Sequence, residues 1–203
     1  LTITGFADPG RLLRKGPPRA GHLLVLTKPL GTGALFAAEM RARCRGAWYL
    51  GALRSLLRSN RAAGEAFLEA GASACTDVTG FGLLGHLGEM LDAAPAAGVG
   101  VELELGALPY MEGALECHHD LGITSSLYPS NLRQHQRRLT NPQVPGFERL
   151  MPLLFDPQTC GGLLAAVPAE KADALVQRLR EHYPEAAVVG TVTSGGNGGV
   201  TLV

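Results

Sequence analysis

The chain has 203 residues, 46% of them hydrophobic and 18% charged, and its 18 basic and 18 acidic side chains cancel. That length and apolar content suffice for a sizeable core in one compact domain, or one with a loosely attached arm. Cancelled charge excludes the strong positive field of most non-specific nucleic-acid binders, and no apolar run reaches the roughly 18 to 20 residues that span a bilayer. With no charged-then-apolar leader, the expectations are no nucleic acid, no membrane and a cytoplasmic protein.

The chain begins at Leu1 rather than Met, and "LTITG" reads as the tail of a strand without evident partners, so a fragment is expected. Residues 8–21, rich in Pro, Gly and Arg, read as a linker or exposed connection. "HLLVLTKPLGTG" (22–33) followed by "ALFAAEM" reads as strand, glycine-rich turn, helix. Two helical pieces are predicted within 48–70, with Asn60 as a cap and Gly71 as a stop. Leu84, Leu87 and Leu91 recur at helical spacing and predict a helix from about Phe81 to Ala94. "VGVELEL" (99–105) alternates as a half-exposed strand does. Residues 107–121 look helical, whereas 122–146 hold three prolines and no clear period. "GGLLAAV" predicts a buried strand, 168–182 a helix, "AAVVGTV" a strand, 195–199 a turn and "VTLV" a last strand. Strands alternating with helices define an α/β or α+β fold.

Cys44, Cys75, Cys117 and Cys160 form no CxxC pair and read as reduced thiols rather than a zinc knuckle or disulfide framework. In "CHHD" (117–120), consecutive helical residues point about 100° apart and do not converge on one ion, so a solvated helix end is the expectation.

Three stretches concentrate chemistry-bearing residues beside glycines. In "ACTDVTGFGLLGHL" (74–87), Asp77 and Thr79 precede a helix, with Gly80 as a permissive corner. Either residue caps that helix, or the carboxylate holds Mg²⁺ while helix amides attract phosphate; the two roles are compatible. Gly82, Gly85 and Gly88 each cost about 1 kcal/mol relative to Ala, so a close backbone or ligand is expected beside them. "DPQTCGGLL" (156–164) reads as a turn that lets backbone approach something closely. In "TKPLGTG", Lys28 stands beside a glycine turn and helix start where it would neutralise a phosphate, although the GxxxxGK[ST] order is absent.

Together, "TDVTGFGLLGHL", "DPQTCGGLL", "LTKPLGTG" and "GITSSLYPSN" resemble the C-terminal half of selenophosphate synthetase (selenide, water dikinase), over the whole of residues 1–203. The resemblance implies a mixed β-sheet flanked by helices, the C-terminal domain of the aminoimidazole ribonucleotide synthetase-like fold. It divides the chain into residues 1–21, a linker or residual strand from a missing N-terminal domain, and residues 22–203, the domain itself. It further implies a dimeric, cytoplasmic, Mg²⁺-dependent enzyme that converts selenide, ATP and water to selenophosphate, AMP and phosphate for selenocysteine biosynthesis. Asp77 falls on the family's metal-ligand aspartate. Lys28, Thr32, Thr79, Gly80, Thr124, Asn131, Asp156, Gln158 and Thr159 stand in family-like motifs and would line a nucleotide cleft. The reactive Cys or selenocysteine and its Lys belong to the family's N-terminal half, so this segment alone is expected to be inactive and its partner is that half. Cys160 stands where the family motif has serine, and with no His or Lys in the same motif it is not expected to be a nucleophile. The competing readings are a non-catalytic nucleotide-binding or assembly module, and a relative with another phosphate acceptor.

Overall fold

A computed structural model describes residues 2, 4–93 and 98–203. The apolar run after the linker forms β1 (Leu23–Leu26), whose side chains leave alternately to two cores. Leu24 and Leu26 enter one and Val25 the other, all fully buried, and burying each contributes about 1.5–3 kcal/mol. An unbroken apolar strand of this kind belongs inside a sheet covered on both faces.

The glycine turn at Gly31 (φ +123°) starts α1 (Thr32–Glu39), followed by α2 (Gly46–Leu57) and α3 (Arg61–Ala70). Helix α3 ends as its sequence predicts: Gly71 is left-handed (φ +78°) and the N–H groups of Gly71 and Ala72 return to the carbonyls of Leu68 and Phe67. Asn60 does occupy the preceding cap position, but its side chain turns away and donates to the Gly161 carbonyl at 2.9 Å. Then come β2 (Ala74–Asp77), α4 (Gly82–Asp92), β3 (Val99–Leu103), α5 (Ala114–His119), α6 (Tyr128–His135), α7 (Phe147–Phe155), β4 (Leu163–Val167), α8 (Ala169–Arg180), β5 (Ala187–Ser194) and β6 (Val200–Leu202). The six strands form one mixed sheet in the order β2-β4-β1-β5-β3-β6, antiparallel except for the parallel pair β3–β6. Helices α3 and α8 pack on the face that carries Val25, Ala165 and Val167; α1, α4, α5 and α7 supply the core on the other.

Two expectations need correction, and a third is met within the described residues. The helix expected over 107–121 shrinks to α5, because Gly113 is left-handed (φ +85°) and starts it late. The stretch 122–146 contains α6, and α7 follows it; both pack against α4. The helix expected to end at Ala94 is observed over Gly82–Asp92, and Ala94 itself lies outside the described residues. So do Leu1 and Ile3 of the expected strand tail, whose neighbours Thr2 and Thr4 are exposed and outside any strand. The stretch expected as a linker is anchored further on: the Arg14 carbonyl accepts the Cys75 N–H at 2.8 Å on the outer edge of β2, and Ser73 Oγ accepts the Arg19 N–H at 3.2 Å.

Candidate functional site

Past Asp77 the chain stays extended, and the Val78 N–H donates to the Gly162 carbonyl at 2.9 Å, prolonging the contact between β2 and the start of β4. Val78 is fully buried, Asp77 exposed and Thr79 half-buried. The chain then turns through Gly80 into α4. Phe81, not Asp77 or Thr79, is the residue at the cap position; it contributes no side-chain bond, and the Thr79 carbonyl takes the Gly82 N–H at 3.0 Å. The capping role expected for either residue's side chain is therefore absent.

The glycine row of α4 is crowded as its cost requires. A methyl group on Gly82 would lie 2.9 Å from the Phe155 carbonyl carbon, one on Gly85 would meet His135 at 2.9 Å, and one on Gly88 would meet the Arg138 guanidinium at 2.5 Å. The expected close neighbour is backbone at the first glycine, the Phe81 and His135 side chains at the second and the Arg138 side chain at the third.

The glycine-rich motifs meet around Gln158. Its Oε1 accepts from the N–H groups of Gly31 (3.0 Å) and Thr32 (3.2 Å) and from Thr32 Oγ1 (3.1 Å). Its Nε2 donates to the Asp156 carbonyl (2.8 Å) and to Asp156 Oδ2 (3.1 Å), and its own N–H donates to the Thr79 carbonyl at 2.9 Å. Asp156 Oδ2 also accepts the Gly33 N–H at 3.0 Å, and the Thr159 N–H donates to Thr32 Oγ1 at 2.8 Å. Asn131 of α6 donates to the carbonyls of Gly80 (2.9 Å) and Phe155 (3.0 Å). The Lys28 ammonium donates to the carbonyls of Arg58 (2.7 Å) and Cys160 (3.1 Å). Thr124 lies farther back, lining a cavity of about 10 Å³ with Gly31, Tyr128 and Asp156, room for about one water.

The fold thus gathers Lys28, Thr32, Thr79, Gly80, Asn131, Asp156, Gln158 and Thr159 into one cluster, but in two layers. Lys28, Thr32, Asn131, Asp156 and Gln158 are buried, and their polar atoms hold the loops to one another. An unpaired buried amide or carbonyl costs about 1–3 kcal/mol, which explains why each finds a partner here. Gln158 and Asp156 occupy the first amides of α1, so that helix start does not present them to a phosphate. The outer layer is Asp77, Thr79, Gly80, Thr159 and Cys160. Among the described residues, Asp77 makes no side-chain hydrogen bond or ion pair, which leaves its oxygens free to bind a hard cation.

Burial dominates the electrostatics. It pushes the Asp156 carboxyl up to about 7, against the opposing hydrogen bonds of Ala34, Gln158 and Gly33. Burial also lowers the Lys28 ammonium from its ordinary value, opposed by Cys160 and assisted by Arg58. Beside Asp77, burial first and the neighbouring carboxylate second push the Cys75 thiol up to about 12, which marks it as an inert core thiol. Cys160 is exposed with φ +49°, and Lys28, 132 residues earlier, reaches its carbonyl. The fold thus brings Lys28 to the Cys160 backbone, its bond made to the carbonyl rather than to the thiol. An open cleft of about 540 Å³ between α5 and α7, bordered by Glu116, His119 and Arg149, touches none of these residues.

Sequence reasoning missed His86 and Glu89 of α4. His86 stands in the motif and is buried, with Nε2 3.0 Å from Thr79 Oγ1 and Nδ1 2.9 Å from Glu89 Oε2. A histidine at the inner end of a glycine-rich helix entrance was the available signal.

With the mixed six-stranded sheet and an aspartate at the end of β2 in place, the class follows: the chain belongs to the family "AIR synthase related protein, C-terminal domain", which matches residues 19–203. Within that class it is similar to curated selenide, water dikinases. It is 40% identical over 192 residues to that of Geobacter metallireducens (strain ATCC 53774 / DSM 7210 / GS-15), covering 95% of this chain and 54% of the relative. It is 36% identical over 195 residues to that of Caldanaerobacter subterraneus subsp. tengcongensis, covering 95% and 54%. The chain spans about half the length of the curated relatives it matches. Solved structures share the fold: a thiamine-monophosphate kinase from Stenotrophomonas maltophilia K279a (TM-score 0.61, 18% identity, 97% of this chain and 54% of that one). A hydrogenase maturation protein HypE in complex with ATP is also similar (TM-score 0.60, 19% identity, 91% and 48%).

Proposed function

We propose that this chain is the C-terminal half of a selenide, water dikinase, which converts selenide, ATP and water to selenophosphate, AMP and phosphate. The observation that carries the reading is the 40% identity to a curated selenide, water dikinase over 95% of the chain. The cluster supports it: a scaffold tied together by its own hydrogen bonds presents one carboxylate, one hydroxyl and backbone at the edge of the sheet. The HypE complex supports ATP as the nucleotide for this fold.

Among the described residues no group of three His, Cys, Asp or Glu stands close enough to hold a metal. The donor set is therefore one carboxylate, which fits Mg²⁺, an ion that keeps several waters and leans on substrate phosphates. Asp77 would hold it, and Mg²⁺ when bound offsets charge developing on the transferring phosphoryl oxygens. The buried Gln158–Asp156–Thr32 network keeps the Asp77–Gly80 loop and the Thr159–Cys160 turn in register. The remaining ligands, the reactive Cys or selenocysteine and its Lys, and the dimer contacts would come from the N-terminal half of a cytoplasmic homodimer supplying selenocysteine synthesis.

The test is the intact mass of the native gene product, with AMP release assayed on it with and without selenide. A product longer than 203 residues that makes AMP only with selenide is expected. A product that consumes ATP with a different acceptor, or binds nucleotide without turnover, overturns the reading in favour of another phosphotransferase or a binding module.

A further inference from the structure

The hydroxyl of Thr79 is held from inside the domain by a row of side chains. Thr79 Oγ1 lies 3.0 Å from His86 Nε2, His86 Nδ1 lies 2.9 Å from Glu89 Oε2, and the same carboxylate oxygen accepts from Lys15 Nζ at 3.0 Å. His86 is only 6% exposed and sits beneath the ring of Phe81, centroids 5.3 Å apart, with His135 of α6 on another side of that ring at 6.2 Å.

The partners dictate where the protons lie. A backbone N–H only donates, and that of Phe81 points at His86 Nε2 at 3.4 Å, so Nε2 carries the lone pair. A carboxylate only accepts, so Nδ1 carries the proton and gives it to Glu89. Burial alone would raise the Glu89 carboxyl, but the hydrogen bond and charge of Lys15, with His86, outweigh it and hold Glu89 below its ordinary value. With no proton on Nε2, the Thr79 hydroxyl is the donor, and its oxygen keeps both lone pairs for a partner other than His86. Thr79 follows Asp77 by two residues on the segment leaving β2, with buried Val78 between them.

We propose that His86 and Glu89 are positioning residues: they turn the Thr79 proton inward and so fix its oxygen as a neutral acceptor two residues along the chain from Asp77, matched to a hard divalent cation or to a water on it. The nature of the cation rests on the dikinase reading; the orientation of the hydroxyl does not. Groups that orient ligands in this way are worth about 10–100-fold in metal affinity. Thr79 thereby acts as the second oxygen of a site that the sequence presents as a lone aspartate.

Two measurements on the full-length protein test this. Long-range ¹H–¹⁵N spectra of labelled histidines, with His86 assigned through His86→Phe, should show its Nδ1 protonated and its Nε2 bare at a pH above the ordinary histidine range. A His86 protonated on Nε2 overturns the proposal. In selenide-dependent AMP release, Thr79→Val should raise the Mg²⁺ concentration for half-maximal rate by about tenfold or more. Thr79→Ser should stay near wild type. Glu89→Leu should act through the same oxygen, so that Thr79→Val/Glu89→Leu is no worse than the worse single variant. A Thr79→Val protein with the wild-type Mg²⁺ dependence, or losses that add in the double variant, overturns the proposal. If wild-type protein makes no AMP with selenide, the dikinase reading fails, and the histidine spectrum alone then upholds or overturns the hydroxyl orientation.

Discussion

Asp156 Oδ2 accepts the backbone N–H of Gly33 at 3.0 Å inside the first turn of α1, so a carboxylate 123 residues later in the chain closes that helix start. The contact ties the loop before β4 to the loop after β1, the two central motifs of the cluster. It also buries the carboxyl, which rises from 3.8 to about 7.

Stability should therefore depend on pH through Asp156. The folded carboxyl binds its proton more tightly than the unfolded one, so between about 4 and about 7 the folded state holds the extra proton. Unfolding free energy then falls as pH rises through that window, and the contribution of this group is complete below it. Urea midpoints measured across the window should decline with pH in wild type, and Asp156→Asn should flatten the decline. An unchanged slope in the variant would show that Asp156 ionises normally in the folded protein.

Gly82→Ala should be among the most damaging single-atom additions at the α4 entrance. The residue has φ +71°, and the added methyl would stand 2.9–3.1 Å from backbone atoms of Phe155 and Asp156, which cannot swing aside. Left-handed strain of about 1–2 kcal/mol and overpacking of about 1–3 kcal/mol combine in one position. At Gly88 the obstacle is the Arg138 side chain, which can move, although that would loosen its ion pair with Asp92. Chemical denaturation should rank Gly82→Ala well below Gly88→Ala; the reverse order would mean the entrance is more plastic than its packing implies.

Much of the fold is readable from residues alone. Strand β1 is an apolar run closed by Pro29 and glycine, α3 is bracketed by Asn60 and Gly71, and the leucines of α4 keep helical spacing. Helices α6 and α7 escape for opposite reasons. The inner face of α6 includes Asn131, a buried amide that a hydrophobic pattern counts as polar, and α7 carries Pro152, which reads as a stop. For the candidate site, motif spacing reaches Asp77 and the family-like residues but not their layering. Whether Lys28 or Gln158 faces solvent or carbonyls depends on loops more than a hundred residues distant. His86 lies seven residues from Thr79, yet their contact needs the turn through Gly80 and Gly82.

Cys160→Ser should be tolerated. The thiol is exposed, its backbone keeps φ +49° with either side chain, and the Lys28 bond is made to its carbonyl, which the substitution leaves in place. Stability within about 0.5 kcal/mol of wild type is expected, with selenide-dependent AMP release retained in the full-length protein. Loss of turnover at unchanged stability would instead assign chemistry to the sulfur, with Lys28 as its neighbouring cation.

Asp77→Asn should separate function from folding. The carboxylate is exposed at the end of an edge strand and makes no side-chain bond to a described residue, so its removal leaves no buried group unsatisfied and should shift stability by less than about 0.5 kcal/mol. The amide keeps the size and one oxygen but loses the charge that Mg²⁺ prefers, so AMP release by the full-length protein should fall by about a hundredfold or more, equivalent to about 2.7 kcal/mol of transition-state stabilisation. Raising Mg²⁺ should restore part of the rate if the loss lies in ion binding. Near-normal turnover at ordinary Mg²⁺ would remove Asp77 from the mechanism and leave the cluster as a structural junction between three loops.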